Sequence, residues 1–344
     1  MSTSRRSVVV LTAAVLCVPI LSSCGLSAQQ RAAVQRFSTA TTALADVTAE
    51  DFTSLRTDVI AFRMRRFEIQ HRLDLGEDDE ESTSATTDVE RMLARLLPTE
   101  AADEAIDGGV RIDDLEARLE AVAAMREFGS ILGTLSSKGD TANLNTTTGK
   151  LLESISKIDG IRLSNAQSTA IQQAVLAVAG IGIEAQRARA VRTVVLQTRE
   201  VFPEIIKLIR EDYDPEHYAW IRTLIEEGEA AAELNEELAL MAAIADADAE
   251  PADDTDPTLS NAEIASLRDK SASLVTDVAG RVQIASDARP RIVAALDEFE
   301  TAHVELVSIV QSGNSITSDR IESFHGTVDT LVRTYRALIK KPSS

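Results

Sequence analysis

The residues with the clearest potential for chemistry in this sequence are its four histidines. Each follows an acidic residue by three positions, and the pairs are Glu68–His71, Asp214–His217, Glu300–His303 and Glu322–His325. On an α-helix, residues i and i+3 lie on the same face, so each pair could share a hydrogen bond or a metal ion. The last two pairs fall on successive predicted helices, as the two halves of one metal site would require.

The Glu-x-x-His element resembles the one that ferritin-like di-iron bundles use twice. For Glu300, His303, Glu322 and His325, the resemblance implies a carboxylate–histidine site for iron or manganese. Such a site also needs a Glu from each of two further helices, and the sequence identifies neither. Because 55 of the 344 residues are Asp or Glu, a carboxylate close to a histidine is unremarkable here. Structural histidines are therefore favoured, and a metal centre is the alternative.

A second chemical feature is Cys24, which ends a distinctive N-terminal segment. Two arginines, Arg5 and Arg6, precede an apolar run from Val8 to Leu21, and two serines separate that run from the cysteine. This is the order of a secretory signal peptide. The run is shorter than the roughly 20 apolar residues of a transmembrane span.

The sequence Leu21-Ser22-Ser23-Cys24 resembles the lipobox of bacterial lipoproteins. In that family the chain is cut before the cysteine, so residues 1–23 would be removed and Cys24 would carry a diacylglyceryl group with further acylation such as palmitate. The resemblance implies a cell-envelope protein, attached to the outer membrane if the organism has one and otherwise to the outer face of the cell membrane. Ser4-Arg5-Arg6 also resembles a twin-arginine export signal, so either export route stays open.

Charge and cysteine content limit the function further. The chain has 35 Lys and Arg against 55 Asp and Glu, and loss of Arg5 and Arg6 would leave a net charge of about −22. Such a surface repels phosphate backbones, which excludes nucleic-acid binding. Cys17 lies in the apolar run and Cys24 would be lipidated, so the mature body is expected to lack disulfides and thiolate metal sites.

Apolar residues recur at spacings of three and four through most of the chain, and no segment alternates with a period of two. The sequence predicts an all-α fold, an elongated antiparallel bundle of long helices with acidic loops. Residues 24–245 form its first part, and 246–258 are an acidic, proline-containing linker or loop. Residues 259–344 are C-terminal helices expected to pack on the same bundle.

Several local features are also predicted. Thr48 is expected to cap or bend the first long helix, Pro290 to kink or restart a later one, and Ser318 to cap the last. Residues 164–201 are expected to form one central helix. Its apolar middle, residues 174–183, is expected to be buried core.

No Gly-rich phosphate loop, His-Glu-x-x-His motif or nucleophile elbow is present. The sequence therefore favours a lipid-anchored envelope protein with a non-catalytic binding or structural role, whose partner would be the membrane and an envelope protein. Metal binding is the first alternative. An apolar-ligand carrier with a cavity near residues 174–183 is the second.

Overall fold

The computed structural model describes seven stretches of the chain. They are residues 25–75, 112–137, 141–181, 183–213, 219–248, 261–312 and 318–340. These stretches contain nine α-helices and no β-strand, which confirms the all-α prediction. The helices are α1 (Ala28–Leu75), α2 (Ile112–Ser136), α3 (Leu144–Lys157), α4 (Asn165–Ile181), α5 (Glu184–Thr198), α6 (Val201–Asp212), α7 (Ala219–Asp248), α8 (Asn261–Ser312) and α9 (Asp319–Ile339).

The two longest helices, α1 and α8, form the frame of the bundle. With 48 and 52 residues they extend about 70 and 80 Å at 1.5 Å per residue. They run antiparallel, because Gln30 near the start of α1 meets Ile309 near the end of α8, whereas Asp58 pairs with Arg281. Helix α9 then packs between them, and its apolar stripe of Ile321, Phe324, Val328, Leu331 and Tyr335 is buried.

The crossing of α1 and α2 depends on small residues. A Cβ atom at Gly129 would lie only 2.6 Å from Oγ1 of Thr42, so no larger residue fits without displacing α1. The Ser38 hydroxyl donates a hydrogen bond of 2.7 Å to the Gly129 carbonyl across the same contact. The two backbones therefore pack closely, and the hydrogen bond fixes their register.

Several local predictions are wrong. The cap predicted at Thr48 is wrong, because helix α1 continues through it and its hydroxyl donates to the Leu44 carbonyl at 2.9 Å. The restart predicted at Pro290 is also wrong, because helix α8 continues through it. The bend at Thr48 and the kink at Pro290 stay predictions. The predicted central helix is divided into α4 and α5, because regular helix ends at Ile181 and begins again at Glu184.

Ser318 does occupy the N-cap position of α9, but its side chain makes no capping hydrogen bond. The buried carboxylate of Glu305, on α8, caps this helix instead. Its Oε2 accepts a hydrogen bond of 3.0 Å from the backbone N–H of Ile321. A carboxylate suits a helix N-terminus because the free N–H groups there carry partial positive charge.

Among the helices described, none combines the length and apolar character needed to cross a bilayer. The predicted signal segment, residues 1–23, lies outside the described residues. The same holds for most of the acidic stretches 74–87 and 246–258.

Candidate functional site

The N-terminal end of the bundle is the part of the structure that lies next to Cys24. Cys24 itself precedes the first described residue, Gly25. A Cβ atom at Gly25 would lie 3.6 Å from Cγ of Glu184, the first residue of α5. Glu184 also forms an ion pair with Arg31 of α1. The chain leaving Cys24 therefore enters the fold beside the junction of α4 and α5.

A capping box fixes the start of α1 only three residues after Cys24. The Ser27 backbone N–H donates to Oε1 of Gln30 at 2.9 Å, and the Gln30 N–H donates to the Ser27 hydroxyl at 3.1 Å. The Gln30 amide also donates to the Ile309 carbonyl of α8. A group attached to Cys24 would thus be held close to a rigid end of the bundle. The Ser-x-x-Gln spacing is a sequence signal that could have identified this helix start.

A small cavity of about 350 Å³ lies at the same end of the bundle. Its lining includes Leu26, which precedes α1, Arg31 of α1, Ser137, which follows α2, and Glu184 and Arg187 of α5. The Arg187 guanidinium donates to the Ser137 carbonyl. The cavity is therefore bordered by charges that already have partners.

His303, the most promising histidine of the sequence, is buried at the centre of an aromatic cluster. Its ring is 2% exposed, and it stacks on Phe299 at a centroid distance of 5.8 Å and an interplanar angle of 9°. Phe37, Phe128 and Phe202 surround it at 6.2, 6.0 and 5.8 Å. Burial lowers the pKa of His303 to about 4, since charging the ring would cost its hydration. Its Nε2 has no hydrogen-bond partner in the described residues.

The three other residues of the predicted metal set lie in different surroundings. Glu300 is on the surface and pairs with Arg210 at 2.9 Å. Glu322 is also exposed and pairs with Arg36 of α1. His325 is half-buried and lines a surface cavity of about 390 Å³ beside Arg36.

The structure therefore does not bring the four predicted ligands together. No group of three or more His, Cys, Asp or Glu residues is placed to hold a metal ion anywhere in the described stretches. Asp214, His217 and the side chains of Glu68 and His71 lie outside the description. Binding of iron or manganese stays a prediction, which element analysis of the purified protein would test.

A second buried polar group, missed by the sequence analysis, is Asp51 of α1. It is 5% exposed and accepts a hydrogen bond of 2.9 Å from the Tyr213 hydroxyl, and Tyr335 of α9 supplies a second one. Burial raises the pKa of Asp51 to about 6, although both hydrogen bonds oppose that change. Burial and the adjacent carboxylate likewise raise the pKa of Tyr213. A signal was available, because Asp51 continues the spacing of the buried residues Leu44 and Thr48.

Two long grooves remain on the surface of the bundle. One, of about 740 Å³, lies between α8 and α9 and is bordered by Pro290, Arg291 and Thr327. The other, of about 800 Å³, lies where α9 ends, between Phe62 of α1 and Ile284 of α8. Both combine hydroxyl, apolar and charged side chains. They could hold a helix or an extended segment of a partner protein.

Comparison with models of known protein families, with curated proteins and with solved structures finds no match for this chain.

Proposed function

We propose that the protein is a lipid-anchored helical module of the cell envelope that acts by binding or by structural support rather than by catalysis. The observation that carries this proposal is the order of features in residues 1–24. Two arginines, an apolar run, two small residues and a cysteine follow one another at the spacing of a lipoprotein signal.

The geometry at the start of α1 is compatible with this proposal. Cys24 is followed by two residues and then by the capping box of Ser27 and Gln30. A two-chain lipid on the cysteine holds a protein stably on a membrane, whereas a single chain does so only marginally. The anchor alone would therefore suffice for attachment, and the body would need no membrane-spanning helix.

A binding or structural role suits the rest of the described surface. The carboxylates Glu300 and Glu322 form surface ion pairs, and His303 is enclosed by phenylalanine rings. The long frame helices and the two grooves beside α9 provide extended surfaces for an envelope protein. Two distinct partners follow from the proposal, a membrane held through Cys24 and a protein held by the helical body.

Mass spectrometry of the N-terminal peptide tests the anchor. The full chain, expressed in a bacterium that processes lipoproteins, is expected to begin at Cys24 and to carry the mass of a diacylglyceryl group with further acylation. The mature protein is also expected to float with lipid vesicles on a density gradient. The matched control is Cys24→Ser, which keeps the size of the residue but removes the thiol and should neither be acylated nor float. An unmodified N-terminus in the unaltered chain would refute the proposal.

In-cell crosslinking tests the binding role. Photoreactive residues placed at Thr327 and Ile284, one in each groove, are expected to recover a defined envelope protein. A photoreactive residue at Val275, an exposed position on α8 outside both sets of lining residues, is the control. Equal recovery from all three positions, or none from any, would count against a specific partner in the grooves.

A further inference from the structure

Helix α4 differs from every other helix described, because it contains no charged residue. No Asp, Glu, Lys or Arg occurs between Arg162 and Glu184, in a chain with 26% charged residues and a net charge of −20. The sequence analysis predicts that its apolar part, residues 174–183, is buried core. The structure bears this out for Val175 and Val178 but not for Leu176, Ala177 and Ile183.

Only one face of α4 is buried. Ile171, Val175 and Val178 contribute to the hydrophobic core. On the other face Leu176 is 50% exposed, and Ile183, which follows α4, is 52% exposed. Ala177 is exposed as well. Leu176, Ala177 and Ile183 therefore expose uncharged, apolar side chains to solvent, and these three residues are defined here as the α4 patch.

The α4 patch lies at the end of the bundle where the chain enters from Cys24. Ile183 directly precedes Glu184, whose side chain packs beside Gly25 and pairs with Arg31. Cys24 is bonded to Gly25, so a lipid on Cys24 would emerge next to this patch.

The helix that follows the patch carries positive charge. Helix α5 has three arginines against one glutamate, on a protein that is otherwise strongly acidic. Arg189 is exposed, and Arg192 is exposed while its Nε donates to the Val310 carbonyl at 2.8 Å. Exposed guanidinium groups beside an uncharged surface are suited to the phosphates of anionic lipids. The strongly acidic remainder of the protein would be repelled by the same lipids.

We propose that the α4 patch, together with the arginines of α5, is the surface that rests on an anionic lipid bilayer when the protein is anchored through Cys24. This inference depends on the proposed lipid anchor. The patch is too small to recruit a free protein to a membrane. On a tethered protein the anchor supplies the attachment, and the patch needs only to favour one orientation of the bundle.

Fluorescent labelling of the mature, lipidated protein tests the orientation. Single substitutions Leu176→Cys and Ile183→Cys introduce the only free thiol, since the sulfur of Cys24 would be occupied by its thioether bond to the diacylglyceryl group. The controls are Val304→Cys and Val275→Cys, which lie at positions 58% and 54% exposed on α8. Val275 is about 55 Å along α8 from the end that meets the start of α1. Each variant is labelled with an environment-sensitive fluorophore and reconstituted into vesicles of equal parts phosphatidylcholine and phosphatidylglycerol.

We expect labels at positions 176 and 183 to shift to the blue and to be quenched several-fold more strongly by a lipid-borne quencher than the label at 275. Placing Asp at both 176 and 183 should abolish the shift of a label at Ala177, while the protein still floats with the vesicles. If the protein floats but the fluorophores at all four positions show the emission of a water-exposed probe, the proposed orientation is wrong, while the proposal of a lipid anchor is unaffected. If it does not float, the anchor itself fails and the inference fails with it.

Discussion

Replacing His303 by Leu is expected to remove one source of acid sensitivity from the core. The ring is buried among four phenylalanines, and its Nε2 has no hydrogen-bond partner within the described stretches, so an apolar side chain of similar size removes an unsatisfied polar atom from the core. Swaps that nearly conserve volume usually cost less than about 1.5 kcal/mol in the free energy of unfolding. The substitution should therefore change stability little near neutral pH.

The magnitude of the pH effect follows from the pKa of His303. In the folded protein it is about 4, against 6.5 for an unperturbed histidine. Between these values the unfolded chain binds a proton that the folded chain does not, so stability falls as pH decreases. The whole difference is worth about 3 kcal/mol. Between about pH 7 and about pH 5.5, about 1 kcal/mol of it is lost.

Asp51 opposes this effect in the same pH range. Its folded pKa is about 6 against 3.8 in the unfolded chain, so the folded state holds the extra proton and gains stability as pH decreases. The gain between about pH 7 and about pH 5.5 is on the order of 1 kcal/mol. In the unaltered protein the effects of the two groups on stability therefore oppose one another. Asp51→Asn should keep only the His303 effect, a loss of about 1 kcal/mol.

Urea unfolding followed by far-ultraviolet circular dichroism measures these differences at both pH values. Four proteins are compared: the unaltered chain, His303→Leu, Asp51→Asn and the double variant. The double variant lacks both groups, so its change in stability with pH measures the contribution of all other titrating groups. Relative to the double variant, His303→Leu should gain on the order of 1 kcal/mol of stability on acidification. If His303→Leu and the unaltered chain respond to pH identically, His303 is not buried as a neutral ring and the reasoning is refuted.

Three further predictions concern packing, capping and metal content. Gly228→Ala should destabilise the α7–α8 contact by more than about 1 kcal/mol, because its Cβ would overlap a Val278 methyl group, whereas Gly280→Ala, with nothing within 4 Å, should stabilise its helix by up to about 1 kcal/mol. Equal changes in melting temperature for these two variants would contradict this prediction. Glu305→Ala should cost about 1 to 3 kcal/mol by leaving the Ile321 N–H without its acceptor, and Glu305→Gln should recover part of that loss in urea unfolding. Element analysis of protein purified without chelators should find no stoichiometric iron or manganese, and near-stoichiometric metal would reopen the carboxylate–histidine hypothesis.

Helix type and the main core stripes were predictable from local spacing. The stripe of α9 from Ile321 to Tyr335 is buried as its periodicity indicates, because residues three and four apart always share a helix face. Helix ends were less predictable. A threonine hydroxyl can cap a new helix or bond the carbonyl four residues back, and Thr48 does the latter because α1 packs continuously against its neighbours.

The sequence places the polar core residues on helix faces that are expected to be buried, but it does not show what surrounds them. His303 and Asp51 both lie on apolar stripes, yet a stripe does not tell whether a polar member meets water, a partner or more apolar side chains. Phe37 and Phe128, which enclose His303, come from helices more than 170 positions away along the chain. Glu300, one turn before His303, is instead directed at Arg210 on the surface.

The sequence by itself determined the all-α class, the acidic charge and the absence of any cysteine after Cys24 that could form a disulfide. It also led to the prediction of a lipid anchor. Each of these depends on composition or on residues close together in the chain. Only the tertiary structure decided which polar residues are enclosed, that Glu305 caps a helix from its neighbour, and that the uncharged α4 is half exposed beside the chain entering from Cys24. Burial and electrostatic environment are set by residues that are distant in sequence, and they exist only after the helices have packed together.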